Sequence, residues 1–425
     1  MDPGDLLITN ARVEGHDGLV GLLAQDGRWS RIGKDLPADG TPSIDAEGRL
    51  VCPPLVDCHL HLDASLTAGR PRFNESGTLI EGIHVWGELK ETLTEDDVYQ
   101  RAREVVEWSA AQGTLFIRAH ADVSAKNEVP LRGLLRVRDD MADLVTMQVT
   151  AFPQDGIYSD PRNEELLEHS LQLGADCVGG IPHYEPTSEL GLAEVHRVFD
   201  LAKQYHRRID VHCDETDDPN SRFLEVMAHN TGTYDMVGRV TASHCTAMGS
   251  YEPYYSSKLL GFLQRSGINM VVNPFANSLI QGRLDTYPKR RGFAQLKELL
   301  AHGVNVSLGN DVIMDPWYLM GRADLIQAAS LALHFTYMSG RDEIPEMLRC
   351  ATTRGAITLG VQDEYGLEEG KPADCVVFDA PDPIEVLRLN PARRYVIRRG
   401  NIIATTEPAR TMLLGQEVTF RPKDR

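Results

Sequence analysis

Two histidines one residue apart stand in the short apolar run LVDCHLHLD, residues 55–63. Alternate residues of a β-strand face the same side, so His59 and His61 point at one spot if this run is a strand. Imidazole nitrogens are ligands that Zn²⁺ and Fe²⁺ accept. A lone H-x-H pair is weak evidence for a metal site, because histidines on a strand can also form hydrogen bonds within a buried polar layer. The motif raises the hypothesis of a divalent metal site.

Further polar side chains recur at the ends of later strand-like segments. They are Gln154 in AFPQDG, His212 and Glu215 in IDVHCDE, His244 in VTASHCTA and Asp311 in NVSLGNDV. Each alone has an ordinary interpretation: a buried hydrogen-bonding histidine, a surface acid, a helix cap or a loop glutamine. Their joint recurrence favours a metal bound by histidines and an aspartate. The segment CVGGIPH contains no lysine that could bridge two metals as a carbamate, so we expect one ion.

Two of these residues suggest a reaction. Glu215 follows His212 by three residues, and a carboxylate beside a metal-activated water can accept its proton. Gln154 offers both an amide donor and an acceptor, which suits the N–C=O edge of a ring. The combination predicts a hydrolase. The rival from another class is a non-enzymatic metal-binding protein, whose closed site would have four protein ligands and no adjacent base.

The segments that carry these residues alternate strand-like and helix-like patterns. Eight candidate strands occur within residues 54–361: LVDCHLHL, GTLFIRAHADV, LVTMQVTAFPQ, CVGGIPH, RIDVHCDE, VTASHCTA, NMVVNP and NVSLGNDV. Eight strands, each followed by a helix or long loop, predict an α/β fold, a (β/α)₈ TIM-like barrel, which collects reactive residues at the carboxyl ends of its strands. Residues 1–53 and 362–425 read as short antiparallel strands, and we expect them to form one discontinuous small β-domain.

Composition limits the partners of the protein. The 425 residues include 42% hydrophobic and 25% charged residues, and the net charge is −19, which argues against nucleic acid as a partner. No apolar run approaches the length of a membrane span, and the first ten residues lack the pattern of a signal peptide. The seven cysteines form no C-x-x-C pair. We therefore expect a cytoplasmic protein that interacts with neither nucleic acid nor membrane.

Long stretches of the chain resemble the amidohydrolase superfamily, and within it the bacterial cytosine deaminase family. They are PPLVDCHLHLDASLTAGRPRFNESGTLIEGI, AFPQDG, IDVHCDE, RVTASHCTAM, NSLIQGRLDTYPKRRG and DPWYLMG. The resemblance implies one Fe²⁺ or Zn²⁺ ion. Its implied ligands are His59, His61, His212 and Asp311. It also implies that Glu215 shuttles the proton and His244 positions the attacking water, with Asp311 counted among the catalytic groups. The implied substrate-binding residues are Gln154, Phe152, Val312 and Trp317.

The chain departs from this family at two positions. Cytosine deaminases carry Gly-His-Asp-Asp around the ligand of strand eight, where this chain has Gly309-Asn310-Asp311-Val312. The resemblance thus implies hydrolytic deamination, with release of ammonia, of cytosine or a related free amino-pyrimidine such as 5-methylcytosine. The alternative is another small cyclic amidine: isoguanine, a triazine or creatinine. A homo-oligomer acting on a nucleobase-like small molecule is expected.

Overall fold

A computed structural model describes residues 4–37 and 40–420. The strands are β1 (Leu6–Ala11), β2 (Val20–Gln25), β3 (Arg28–Gly33), β4 (Ser43–Asp45), β5 (Val51–Cys52), β6 (Leu55–Leu60), β7 (Thr114–Asp122), β8 (Thr146–Phe152), β9 (Cys177–Val178), β10 (Arg208–Cys213), β11 (Val240–His244), β12 (Asn269–Val272), β13 (Asn305–Leu308), β14 (Cys375–Phe378), β15 (Arg393–Arg398), β16 (Asn401–Thr405), β17 (Thr411–Leu413) and β18 (Gln416–Val418).

The helices lie mainly between the strands of the central part of the chain. They are α1 (Leu79–Lys90), α2 (Glu95–Ala111), α3 (Val129–Asp140), α4 (Asn163–Gln172), α5 (Ser188–Gln204), α6 (Phe223–Thr233), α7 (Pro253–Ser266), α8 (Pro274–Ile280), α9 (Leu296–Ala301), α10 (Leu325–Phe335), α11 (Glu343–Cys350), α12 (Thr353–Leu359) and α13 (Pro383–Leu389). Within the described ranges, no helix combines the length and apolarity needed to cross a membrane.

Helix α2 illustrates how the local sequence sets these elements. The Thr94 side chain accepts a hydrogen bond from the Asp97 backbone N–H, and three acids occupy the first turn, where they complement the helix dipole. The buried side chains Val98, Ala102 and Val105 recur at intervals of three and four residues, so one stripe of the helix packs on the barrel.

Strands β6 to β13 form one parallel sheet in chain order, which confirms the predicted barrel. The last and first strands meet through a parallel bridge between Leu60 and Asp311. There the Asp311 N–H donates to the His59 carbonyl at 2.7 Å, and the His61 N–H donates to the Asp311 carbonyl at 2.8 Å. The barrel therefore closes at the residues that were predicted from the sequence as metal ligands.

Gly309 makes this closure possible. A Cβ atom at position 309 would lie 2.6 Å from the His59 carbonyl oxygen and 2.6 Å from Asn273 Oδ1. Cβ atoms in proteins essentially never approach other heavy atoms this closely. The absent side chain lets the end of β13 approach β6 and brings Asp311 beside the two histidines.

The chain ends form the remaining sheets, as expected. One sheet has the order β3-β2-β1-β4, and a second has the order β16-β15-β14-β5, in which β5 comes from the amino-terminal part. One buried core joins residues of both ends, including Leu22, Trp29, Val377 and Ile397. A small β-domain is thus built from both termini. Its exact limits, 1–53 and 362–425, stay a prediction.

Candidate active site

Histidine and carboxylate side chains converge at the carboxyl ends of the barrel strands. The His212 Nε2 atom lies 3.1 Å from Nε2 of His59 and 3.0 Å from Nε2 of His61. Asp311 Oδ1 lies 3.5 Å from both His59 Nε2 and His61 Nε2. The rings of His59 and His61 are 5.4 Å apart between centroids, so the two histidines of the H-x-H motif face one spot.

The donor set fits a cation. A neutral imidazole carries one N–H, so three converging Nε2 atoms cannot all be satisfied by one another. Donor atoms around a tetrahedral ion with 2.0–2.1 Å bonds are separated by about 3.3 Å. The observed separations of 3.0–3.5 Å match this arrangement. One divalent ion can be held here.

The electrostatics of the cluster also match a metal site. Burial, together with neighbouring imidazoles, lowers the pKa of His59, His61 and His212 well below the ordinary value, which favours the neutral ligand form. Burial raises the pKa of Asp311 to about 7. A cation removes this cost, because it favours ionised carboxylate and neutral imidazole alike.

His244 lies beside the same cluster but has a different partner. Ligand-type atoms of four buried side chains fall within 4.8 Å of one another: His59, His212, His244 and Asp311. However, His244 Nδ1 is 3.9 Å from Asp311 Oδ2 and only 3.0 Å from Glu215 Oε1. Burial lowers the pKa of His244, but the charges of Glu215 and Asp311 outweigh burial and raise it above the ordinary value. This pairing suits a proton-handling role.

Backbone strain marks two of these positions. His244 has φ 69° and Asp311 has φ 66°, both in the left-handed region that residues other than glycine seldom adopt. Such strain persists where the surrounding structure enforces it and concentrates at functional sites. At Asp311 the enforcing contacts are the two backbone hydrogen bonds that close the barrel.

A buried polar layer supports the cluster from within the barrel. Asp210 accepts hydrogen bonds from Arg118 Nη1 at 2.9 Å and from the Ser243 hydroxyl at 2.6 Å. Its Oδ1 lies 4.0 Å from His59 Nδ1 and 3.7 Å from His120 Nε2. The His120 ring stacks on the His59 ring with centroids 3.8 Å apart. At 4.0 Å Asp210 does not hydrogen-bond His59 Nδ1, so the stacked His120 ring is the contact that supports the His59 ring.

A cavity opens over the cluster. Its lining side chains are His61, Leu79, Gln154, His212, Glu215, His244, Ile280, Asp311, Val312 and Trp317. The lining thus combines the polar candidate catalytic groups with apolar side chains, among them the indole ring of Trp317.

The indole of Trp317 is held against helix α1. Trp317 Nε1 donates to the Leu79 carbonyl at 3.2 Å. A Cβ atom at Gly82 would lie 2.2 Å from Trp317 Nε1, so only glycine at position 82 admits the ring. The backbone N–H groups of Trp317 and Tyr318 both donate to the buried carboxylate of Asp315. The tryptophan is a fixed wall of the cavity.

Gln154 lines the cavity from the loop that follows β8. Its neighbour Asp155 accepts a hydrogen bond from the buried Lys90 ammonium at 2.6 Å. Lys90 also donates to Asp122 at the end of β7. Lys90 therefore ties the residue that follows Gln154 to the end of β7.

Two predicted or suspected pocket residues lie elsewhere. Phe152 is fully buried, and its ring stacks on His212 with centroids 3.9 Å apart, so its side chain supports a candidate ligand and does not line the cavity. The Asn310 side chain turns away from the cavity and donates to Asp57 Oδ2 at 2.6 Å. Of the two departures from the deaminase pattern, Val312 alone borders the cavity.

The sequence patterns predicted no role for several residues of the site. Asn273 and Asn277 contact His244, and Leu79 and Ile280 line the cavity. NMVVNP places Asn273 at the end of a barrel strand, and the strand-end rule could have found it. Leu79 and Ile280 carry no polar signal, because apolar residues in loops and helix ends are ordinary.

Comparison with known proteins gives the family. The model of the Amidohydrolase family matches residues 43–404. The chain belongs to the amidohydrolase family. It is thus an enzyme, a hydrolase acting on C–N bonds, and the non-enzymatic interpretation is set aside.

Similar members of the amidohydrolase family include enzymes of small heterocycles. The crystal structure of 5-methylcytosine deaminase from Klebsiella pneumoniae liganded with 5-fluorocytosine has 42% sequence identity and a TM-score of 0.92, covering 94% of this chain and 98% of that chain. N-isopropylammelide isopropyl amidohydrolase of Pseudomonas sp. (strain ADP) is 27% identical over 95% of this chain and 98% of its own length. Pterin deaminase of Rhizobium rhizogenes is 27% identical over 88% of this chain and 86% of its own length.

Proposed function

We propose that this amidohydrolase is a metal-dependent deaminase of a free amino-pyrimidine, and that it accepts 5-methylcytosine. The observation that carries the proposal is one cavity that presents Glu215, His244 and Gln154 to the apolar wall of Val312 and Trp317. A flat ring can stack on the indole while its polar edge meets the amide. The similarity to a 5-methylcytosine deaminase over nearly the whole chain supports the same substrate class.

The lining of the cavity supports a free base. The apolar side chains Leu79 and Ile280 border it, and among the described residues no charged or hydroxyl group outside the candidate catalytic groups is placed there to bind a ribose. Isoguanine, a triazine and creatinine are also small flat rings, and they remain the alternative substrates.

The metal would be held by His59, His61, His212 and Asp311. When bound, a Zn²⁺ or Fe²⁺ ion lowers the pKa of a coordinated water and so supplies a nucleophile at neutral pH. The identity of the ion is a proposal that stands on the ligand type, since imidazole and carboxylate suit both metals.

The protein groups divide the proton transfers and the positioning. Gln154 holds the N–C=O edge of the ring through its amide. His244 and Asp311 orient the attacking water towards the amino-bearing carbon. Glu215 takes a proton from the attacking water and donates it to the ring nitrogen beside that carbon. It then relays the second proton of the same water to the leaving amine, so that ammonia departs and a carbonyl group remains on the ring. One carboxylate serves both steps because they are sequential.

The substrate proposal is tested by steady-state turnover of cytosine, 5-methylcytosine, isoguanine and creatinine by the metal-loaded enzyme. We expect ammonia release from the two amino-pyrimidines with kcat/KM in the range of about 10⁴–10⁸ M⁻¹s⁻¹ typical of enzymes. Turnover of isoguanine or creatinine alone would select the alternative. Absence of ammonia from all four rings would reject the proposal.

The proposed ligand set predicts one metal ion per chain. Elemental analysis of the purified protein should find about one equivalent of Zn and Fe together, because four protein ligands and a water complete a single site. His212→Ala should reduce this content strongly, whereas His206→Ala, a change outside the cluster, should leave it unchanged. Two equivalents per chain in the unaltered protein would contradict a mononuclear site.

A cytoplasmic location is also part of the proposal. All seven cysteines are free and buried, which suits a reducing compartment. The homo-oligomer stays a prediction.

A further inference from the structure

Asn277 contacts both proton-handling groups of the proposed mechanism. This side chain is fully buried on α8, four residues after Asn273 at the end of β12. Its Nδ2 atom lies 3.0 Å from His244 Nδ1 and 3.5 Å from Glu215 Oε1. Asn277 begins the segment NSLIQGRLDTYPKRRG, but its residue type and spacing predicted no role.

The orientation of the Asn277 amide follows from its other contact. The backbone N–H of Asn273 lies 3.4 Å from Asn277 Oδ1, and an N–H can only donate. The carbonyl oxygen therefore faces the backbone, and the NH₂ group is turned towards His244 and Glu215. The amide has two N–H donors: one can donate to Glu215 Oε1, and the other can donate to His244 Nδ1 when that nitrogen carries no hydrogen.

Asn273 completes the enclosure of the His244 ring. Its side-chain Nδ2 atom lies 3.1 Å from His244 Nε2 and 3.4 Å from His244 Nδ1. His244 is the last residue of β11 and has a left-handed backbone with φ 69°. The ring is therefore held by side chains of the seventh barrel strand and its following helix.

We propose that Asn277 is a positioning residue that holds the His244 ring and the Glu215 carboxylate in a fixed mutual arrangement. This inference rests on the proposed function for the roles of His244 and Glu215. A misplacement of catalytic groups by about 1 Å can cost on the order of 100-fold in rate. Loss of the Asn277 donors is thus expected to lower kcat and to leave substrate binding by Gln154 and Trp317 intact.

Two substitutions separate this role from a structural one. Asn277→Asp has the same shape and keeps an oxygen for the Asn273 N–H, but it loses both donors. Asn277→Leu loses the donors without adding charge. Asn269→Asp is the matched control, since Asn269 is buried at the other end of β12 and donates to backbone carbonyls.

We expect kcat to fall roughly 10- to 100-fold in both Asn277 variants, with KM within about threefold and metal content near one. Crystal structures of the variants should show the His244 ring rotated away from Glu215. The control should keep kcat per metal-loaded enzyme. Normal kcat in Asn277→Asp, or loss of fold or metal in both variants, would overturn the proposal. If the unaltered enzyme turns over none of the rings, the proposed function fails, while the ring position in the crystals still decides the role of Asn277.

Discussion

Replacement of Glu215 by glutamine is expected to lower turnover by roughly 10²- to 10⁴-fold, the usual contribution of a general acid–base group. The Glu215 carboxylate lines the cavity and lies 3.0 Å from His244 Nδ1. Glutamine has nearly the same shape, but it can neither give a proton to the ring nitrogen nor carry one to the leaving amine. The effect should fall on kcat.

The measurement is steady-state deamination together with elemental analysis of the same preparation. Glu215 is outside the proposed ligand set, so metal content and the thermal midpoint should stay near those of the unaltered enzyme. Glu225→Gln on α6, outside the cavity, is the matched control for a Glu-to-Gln change. Near-normal activity of folded, metal-loaded Glu215→Gln would remove Glu215 from the mechanism.

Replacement of Val312 by aspartate should move the substrate preference from 5-methylcytosine towards cytosine. Val312 is 3% exposed and borders the cavity, so a ring substituent that reaches it meets an apolar wall. Burial of one methyl group against such a wall contributes about 0.8 kcal/mol. A carboxylate at this position adds the cost of removing water from a charge beside that methyl.

Discrimination by one methyl group commonly reaches roughly 10- to 200-fold, and we expect the ratio of the two kcat/KM values to change within this range. The measurement is kcat/KM for both rings in both proteins. Val312→Thr is the matched control, because threonine has the same shape and is polar but uncharged, and it should give an intermediate ratio. An unchanged ratio in Val312→Asp would place the methyl group elsewhere in the pocket.

The position of Asn310 strengthens this expectation. Asn310 is the other position at which the chain departs from the cytosine deaminase pattern. Its side chain is bound to the buried carboxylate of Asp57 at 2.6 Å and does not reach the cavity. Of these two positions, only Val312 changes the polarity of the cavity lining.

Much of the architecture follows from the sequence alone. Eight strand patterns in order predict the barrel, and the barrel rule collects their polar ends at one mouth. Up to 252 residues of sequence separate His59, His212 and Asp311. Each of them lies at the end of a predicted strand, so their proximity could be predicted without coordinates. The small β-domain was predictable for a similar reason, since neither terminal segment has enough strands to bury a core alone.

Only the tertiary structure determines which way the side chains near the strand ends point and how deeply they are buried. Phe152 and Gln154 are two residues apart, so a continuous strand would point both side chains to the same side. In the structure, the Phe152 ring is buried against His212, whereas the Gln154 side chain lines the cavity. Asp311 has φ 66°, which ends the two-residue alternation of a strand and turns Asn310 away while Val312 stays at the cavity. Sequence periodicity applies only while the backbone is extended. Beyond the last strand residue, packing with other elements decides which side chains meet.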